Sequence, residues 1–410
     1  MLIRGMILFW LVLMAWSAQA ATLVDLFELA KKNTARIVDK KFAEEIAYQE
    51  KRKAYSQVLP SLSASSSNVW RDQAPVGAFG EGYQHTAALT LNQALFKGGA
   101  EYYAISIAKK LPEIAKLQRV QEELVLYEQL AQLFFQTLRL QNGKNLYLEQ
   151  EKTLEDRLKT LRQRAQIGRS RTTDVLAAES QLARIRAERA GIESQLIESE
   201  QNLKNLSGLE TLGPLKDSFV IDDLHPPVRW EKDLMSTPQI KANELLVDNA
   251  KKEISAARGS YLPTLDANAN FYLDRAGILR ESKWDITLNA KWNLFNGGND
   301  VAEKRIQALE AARLEAQLRD LKRNLRNDFQ ARKLEYLKQR EVVKKMEAAV
   351  KLARRNYQQH LNEMNRGLVS TLDVLRILED FLLVQRSYDQ QLYQTKYAWI
   401  RLQALAGVHP

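Results

Sequence analysis

Two stretches of the chain alternate between apolar and polar residues and then end in a pair of glycines. Between residues 283 and 298, KWDITLNAKWNLFNGG, every second position from Trp284 to Leu294 is apolar. Residues 83 to 99, YQHTAALTLNQALFKGG, show the same alternation. Successive side chains of a strand point to opposite faces, so each stretch predicts a two-faced β-strand. The strand-to-helix turns predicted after them contain Gly98, Gly99, Gly297 and Gly298.

A second strand precedes each of these strands. The serine-rich residues 61–75 place Leu62, Ala64 and Trp70 on one parity, and residues 265–274 alternate more clearly. These patterns predict two β-hairpins, at about 61–96 and 264–295, with loops at 75–82 and 275–281. The chain therefore offers four strands.

Helical spacing fills most of the remaining chain. It predicts helices over about 22–59, 100–167, 172–206 and 236–259, then one helix to about 366 and a last one to 406. Pro112 is expected to interrupt the second helix. At ~1.5 Å per residue, the helix over 100–167 is roughly 100 Å long, which is far more than a globular domain needs.

The two halves of the chain are copies of one unit. Gly168 and Gly367, Asp174 and Asp373, and Gly208 and Gly407 each lie 199 residues apart. This spacing predicts a first structural repeat over 21–208, an irregular inter-repeat joint over 209–235 and a second repeat over 236–410. Each repeat has the order helix, strand, strand, helix, helix.

The first twenty residues have the three parts of a secretory signal peptide. Arg4 precedes an apolar run from Met6 to Trp16, and Ser17-Ala18-Gln19-Ala20 follows. The run is shorter than the ~20 apolar residues of a membrane anchor, so we expect removal of 1–20 and an exported protein. We expect no transmembrane helix after it.

Composition narrows the functional classes. The chain has no cysteine, which excludes disulfides and thiolate metal sites, and its net charge of +10 comes from 60 basic and 50 acidic residues. The chain has no compact basic block with interleaved aromatic residues, so nucleic-acid binding is not predicted. The four histidines lack metal-ligand spacing, and no G-x-S-x-G occurs, so we predict no enzyme, metal or cofactor. The four histidines are interpreted as ordinary surface or hairpin residues: His85, His225, His360 and His409.

The apolar strand faces have two possible environments. They could meet inside a sandwich, but four short strands make a poor independent core. They could instead face lipid, where open sheet edges are not tolerated and the sheet must close. Since closed membrane barrels have about eight strands or more, several chains would have to contribute. Trp70, Trp284 and Trp292 would then suit the membrane interface, although simple burial is the alternative.

These motifs resemble the TolC family of outer-membrane efflux proteins over the whole mature length. The resemblance rests on the LFKGG and LFNGG turns, the LP before each hairpin, the two G-x5-D motifs and the closing LSG and LAG. It implies a mainly α fold with a membrane β-barrel portion: a homotrimer whose twelve strands form one barrel in outer-membrane lipid, continued by a periplasmic α-helical barrel. It also implies an exit duct for efflux or type I secretion, with an adaptor protein and an inner-membrane transporter as partners.

The resemblance places function at the helical tips. Gly168, Arg169, Gly367 and Leu368 would dock the adaptor, and Asp174 and Asp373 would narrow the pore entrance. Helix capping is the alternative role of both aspartates. Three positions depart from the acidic and locking residues of the family: Met364, Val369 and Arg376.

The first tip is unusually basic. Arg169 and Arg171 could pair with Asp174 or Asp373 of a neighbouring helix and hold the entrance closed, or they could simply be solvated. The competing class for the whole chain is a periplasmic coiled-coil adaptor or structural protein. Such proteins carry one helical hairpin, whereas this chain predicts two. The sequence does not predict the substrate.

Overall fold

The protein is described by a computed structural model that covers residues 21–70, 72, 83–276 and 279–410. The predicted signal peptide 1–20 and the predicted loop 75–82 lie outside the described residues. The α-helices are α1 Leu23–Asn33, α2 Ala35–Ser56, α3 Ala100–Ala108, α4 Leu111–Gln166, α5 Thr172–Ser207, α6 Val228–Asp233, α7 Pro238–Ala257, α8 Asn299–Asn365 and α9 Thr371–Leu405. The strands are β1 Ser61–Trp70, β2 Tyr83–Lys97, β3 Thr264–Asp274 and β4 Trp284–Lys291.

The duplicated order of helices and strands is confirmed, with three corrections at element boundaries. The helix expected over 22–59 stops at Thr34, whose backbone is extended, because its hydroxyl leaves the helix and donates to the carbonyl of Leu206 at 3.1 Å. The break expected at Pro112 falls just before it, between α3 and α4. The last strand ends at Lys291, and the next residue, Trp292, donates its indole N–H to the carbonyl of Tyr261 at 3.1 Å.

The four strands form one antiparallel sheet in the order β1-β2-β3-β4. The central β2–β3 pair joins the two halves of the sequence. The polar side chains line up across the strands: Ser63, Thr90, Asn270 and Asp285 form one row. Within this row Thr90 donates to Asn270 and Asn270 donates to Asp285, both at 2.8 Å. One face of the sheet is therefore a hydrogen-bonded polar surface.

The other face of the sheet is apolar and exposed on the single chain. Cross-strand pairs such as Leu89–Phe271 and Ala269–Ile286 keep the apolar side chains together on this face. An exposed apolar face of this extent would be unfavourable in water and suits contact with lipid. Its most exposed members are Leu62, Trp70, Phe271, Leu273, Trp284, Ile286 and Leu288.

The described chain divides into two compact units that draw on both halves of the sequence. The first holds residues 21–38, 121–237 and 324–410, and the second holds 39–120 and 238–323, which include the sheet. Nothing in this division tests the predicted repeat boundaries or the joint over 209–235, which remain predictions. Within the described residues, no helix combines the length and apolarity needed to cross a membrane.

The first unit has a helical core built from apolar seams. Leu154, Leu158 and Leu161 follow one another at helical spacing on α4 and are all buried. Opposite them, Tyr357 of α8 stacks on Phe381 of α9, with ring centroids 6.0 Å apart. Spacings of three and four residues place side chains on one helix face, so the seams hold the long helices side by side.

Removing one hydroxyl from this unit should measure a buried hydrogen bond. Tyr336 is fully buried and donates to the carbonyl of Leu224 at 2.6 Å. Burial raises its pKa to about 12, so the phenol remains a donor at neutral pH. Tyr336→Phe leaves the carbonyl without this donor and should cost about 1–3 kcal/mol in the free energy of unfolding, measured with denaturant.

Tyr357→Phe is the matched control for this substitution. Tyr357 is also buried, but its hydroxyl makes no hydrogen bond to another described residue. A smaller loss is therefore expected there. Equal losses for the two variants would contradict the role assigned to the Tyr336 hydroxyl.

Candidate functional site at the helical tips

The first tip is a sharp turn between α4 and α5. The N–H of Arg169 donates to the carbonyl of Arg164 at 2.8 Å, and the N–H of Gly168 donates to the carbonyl of Ala165 at 3.0 Å. This pair of bonds is the Schellman arrangement that ends a helix. It requires the left-handed backbone that Gly168 adopts, with φ +69°, which explains glycine at this position.

The second tip, between α8 and α9, repeats this geometry. Leu368 N–H donates to the carbonyl of Glu363 and Gly367 N–H to that of Met364, both at 2.9 Å. Gly367 has φ +78°. The side chain of Leu368 is 70% exposed on the single chain, and that of Ile167 on the first tip is 65% exposed. Both tips thus present apolar side chains at tight, well-defined turns.

Asp373 closes a complete capping box at the start of α9. Its N–H donates to the Ser370 hydroxyl at 3.2 Å, and its carboxylate accepts the Ser370 N–H at 3.1 Å. The hydrogen bond from the Ser370 hydroxyl, followed by that from the backbone, holds the pKa of Asp373 below its ordinary value. The carboxylate is therefore ionised at neutral pH and engaged in capping.

The carboxylate of Asp174 accepts weaker capping hydrogen bonds than the carboxylate of Asp373. Its carboxylate accepts the N–H of Arg171 and the hydroxyl of Ser170, both at 3.4 Å. Arg171 occupies the position that Ser370 holds in the second repeat, 199 residues later. An arginine side chain has no acceptor oxygen to receive the helix N–H. The Asp174 N–H therefore has no side-chain acceptor on Arg171, and the Asp174 carboxylate is held by longer bonds than that of Asp373, which leaves it more freedom to serve another role.

A cleft of about 770 Å³ lies where the two tips meet, and its lining is basic. Its charged residues are Arg157, Arg164, Arg169, Arg171, Asp156 and Asp174. Nearby, Arg162 pairs with Glu179 at 2.6 Å. Among the ion pairs of the described residues, none includes Arg169 or Arg171. The pairing predicted for these two arginines with a neighbouring helix thus remains a prediction.

Arg157 is a tip residue that the sequence analysis missed. Its guanidinium contacts the sulfur of Met364, a position where the family has a locking residue. The pKa of Arg157 is lowered, chiefly by burial of the guanidinium. The available signal was its place between Leu154, Leu158 and Leu161, where an arginine interrupts an apolar seam. Val369 lines the same cleft, whereas Arg376 is in the second turn of α9 and is not part of the lining.

The predicted glycine turns that follow the sheet have left-handed backbones. The φ angles are +69° at Gly98, +81° at Gly99, +58° at Gly297 and +83° at Gly298. Among the described residues, no group of His, Cys, Asp or Glu has the arrangement of a metal site. The candidate functional features described above are the tips and the two-faced sheet.

Long helices ending in paired tips, with a sheet that is apolar on one face, are features of an outer-membrane channel. The model of the family described as outer membrane efflux protein matches residues 26–209 and 231–408, so the chain belongs to this family. The resemblance noted in the sequence is thereby confirmed. The protein is an outer-membrane exit duct of the kind used in efflux or type I secretion, with a helical part in the periplasm.

Individual relatives agree with this assignment. The chain is 25% identical to the proteases secretion protein PrtF of Dickeya chrysanthemi, over 95% of this chain and 89% of that protein. It is 23% identical to the outer membrane protein TolC of Vibrio cholerae, over 69% of this chain and 67% of that protein. The solved channel protein CusC shares the fold, with a TM-score of 0.82 and 15% identity over 96% of this chain and 94% of that one.

Proposed function

We propose that the protein is a homotrimeric exit duct that receives cargo from an inner-membrane transporter through a periplasmic adaptor. Four strands per chain, with one apolar and one polar face, support a closed barrel of twelve strands from three chains. The adaptor docks at Gly168, Arg169, Gly367 and Leu368. The observation that carries this proposal is the pair of equivalent Schellman turns with exposed apolar side chains.

We propose protein as the cargo, as in type I secretion. This choice is supported by the near full-length match to PrtF, whose name assigns it to protease secretion. Small-molecule efflux is the second candidate, and the family description favours it. The duct itself needs no catalytic chemistry for either cargo, and the two sequence repeats supply equivalent halves of it.

We further propose that Asp174 and Asp373 line the periplasmic entrance of the pore. Asp174 is the stronger candidate because its capping bonds are longer than those of Asp373. Arg169 and Arg171, which belong to the same cleft as Asp174, supply positive charge for pairs with these carboxylates across the closed entrance. Exposed pairs of this kind are worth under about 1 kcal/mol each, so docking of a partner can release them.

Deleting the gene in its source bacterium separates the two cargo classes. For protein secretion we expect specific proteins to disappear from the culture medium, with drug susceptibility unchanged. The measurements are a proteomic comparison of the medium and minimum inhibitory concentrations, with a strain carrying a restored copy as control. Increased drug susceptibility with an unchanged medium would identify efflux. No change in either measurement would contradict the proposed duct.

A further inference from the structure

Three side chains on the apolar face of the sheet form a Ser-His-Asp hydrogen-bond chain. The Ser66 hydroxyl lies 3.2 Å from Nε2 of His85, and Nδ1 of His85 lies 3.0 Å from the Asp274 carboxylate. When Nδ1–H donates to Asp274, Nε2 is left as the acceptor for the serine hydroxyl. This order and these distances are those of a nucleophile, a general base and the group that orients the base.

A register shift in the sheet brings Asp274 to the same face as Ser66 and His85. The side chains of Asn268 and Asn270 belong to the polar face, and in a regular strand Asp274 would share their parity. The ladder shifts between Ala87 and Ala88, so that Asp274 pairs with Ala87 while Tyr272 pairs with Ala88. β-Bulges of this kind re-aim side chains and occur next to functional sites.

Ser66 reaches the same place from the other side of β2. It pairs with Ala87 across the β1–β2 ladder, as Asp274 does across the β2–β3 ladder. His85 is two residues from Ala87 on β2 and therefore shares its face. One histidine thus spans the serine and the aspartate on its two neighbouring strands.

The surroundings suit a lipid ester. Trp70 and Tyr83 lie beside these three side chains at the hairpin end of β1 and β2, with ring centroids 5.5 Å apart. Tryptophan and tyrosine are the residues typical of the membrane interface, where the ester bonds of lipids lie. Leu89 and Leu91 continue the same face away from the hairpin end and would contact acyl chains.

Asn68 supplies a donor for a developing oxyanion. It is two residues from Ser66 on the same face of β1, and its Oδ1 accepts the Tyr83 hydroxyl at 2.7 Å. This bond orients the carboxamide, whose Nδ2 donates to no other residue in the described part of the chain. Side-chain amides beside a nucleophile are among the donors that stabilise a tetrahedral intermediate.

We propose that Ser66, His85 and Asp274 form an esterase site that hydrolyses acyl esters of membrane lipids at the outer surface of the barrel. The inference goes beyond transport and rests on the duct assignment only in placing the apolar face against lipid. Its components are 19 and 189 residues apart, which is why no sequence motif reveals them.

The reaction follows from the geometry. The Ser66 oxygen attacks the ester carbonyl carbon while His85 Nε2 takes the hydroxyl proton, and Asp274 stabilises the imidazolium. Asn68 donates to the oxyanion. The ester C–O bond then breaks, and His85 returns the proton to the leaving alcohol. Water, deprotonated by His85, attacks the acyl-serine, which releases the fatty acid and restores the Ser66 hydroxyl.

The test uses the mature protein reconstituted into phospholipid vesicles. We expect fatty-acid release above that of protein-free vesicles, and labelling of Ser66 by a fluorophosphonate, located by peptide mass spectrometry. Ser66→Ala and His85→Gln should each lower release about a hundredfold or more, and Asp274→Asn should also lower it strongly. Ion conductance through all variants shows that they remain folded channels.

Ser67→Ala is the matched control. Ser67 neighbours Ser66 but pairs with Thr86 on the polar face of the sheet, so release and labelling should be unchanged. A conducting wild-type protein with no release and no labelling would overturn the proposal and leave the three residues as a cross-strand hydrogen-bond chain. Equal release by the wild type and Ser66→Ala would overturn it as well. Neither result would affect the duct function, which the deletion experiment tests separately.

Discussion

Gly98→Ala is expected to prevent stable folding of the sheet-containing unit. A Cβ at Gly98 would lie 2.1 Å from the carbonyl oxygen of Gly259, far inside any allowed contact. The opposing atoms of Gly259 are backbone and the position of a Cβ is fixed by the backbone of residue 98, so no side-chain rotation can relieve the contact. The left-handed φ of +69° adds a cost of about 1–2 kcal/mol. We expect a total loss above about 4 kcal/mol. The measurements are the yield of outer-membrane protein and its resistance to denaturant.

Gly99→Ala is the control that isolates the collision. Gly99 also has a left-handed backbone, with φ +81°, but a Cβ there meets nothing within 4 Å. Its cost should therefore be the backbone term alone, about 1–2 kcal/mol, and the variant should still assemble. Similar losses for both variants would mean that the approach of Gly259 to Gly98 does not limit folding.

This pair of glycines also shows how far the sequence predicts the fold. The alternation before each glycine pair was enough to predict the strands and the turns, because strand geometry has a period of two. The contact with Gly259 was not predictable, since that residue is 161 positions away and the distance depends on how the turn after β2 approaches the segment before β3. Local patterns identified the elements, and tertiary contacts explain why particular residues are required.

The helix expected over 22–59 shows the same limit. Its apolar spacing continues through Thr34, so periodicity gave no reason to break it. The break depends on a bond to the carbonyl of Leu206, which is 172 residues away. Threonine competes with helix geometry through its hydroxyl, and here the tertiary bond decides the outcome.

The resemblance and the repeat together identified the tip residues, but the strength of their hydrogen bonds required the structure. The 199-residue offset makes Asp174 and Asp373 equivalent. The structure adds that Ser370 completes a capping box with Asp373, whereas both hydrogen bonds to the Asp174 carboxylate are 3.4 Å long. The burial of Arg157 against Met364 was likewise outside the reach of spacing arguments, because it depends on α8 packing against α4.

The double variant Asp174→Ala, Asp373→Ala is expected to raise single-channel conductance and weaken cation preference. In the proposed trimer, each chain contributes both carboxylates to the entrance, and rings of acidic side chains favour cations. Alanine removes their charge and their bulk, so the entrance becomes wider and less selective. The measurement is conductance of the purified protein in planar bilayers, with reversal potentials in a salt gradient.

The Asp174→Asn, Asp373→Asn variant separates charge from size. Asparagine removes the charge but keeps the side-chain volume. Cation preference should therefore fall as in the alanine variant, and conductance should rise less, because only the loss of the arginine pairs opens the entrance. If both double variants behave like the wild type, the aspartates are caps and do not line the pore.

The single variants distinguish the two tips. Asp373 has a lowered folded-state pKa, so its capping contribution is present above the unfolded-state pKa and is lost as the pH falls through the folded-state pKa. Asp373→Ala should therefore lower the free energy of unfolding at neutral pH. The variant should then lose less of that free energy between neutral and acid pH than the wild type does. Asp174→Ala should affect stability less, because both hydrogen bonds to its carboxylate are 3.4 Å long, while changing the conductance at least as much. A larger stability loss at Asp174 than at Asp373 would reverse the roles assigned to the two carboxylates.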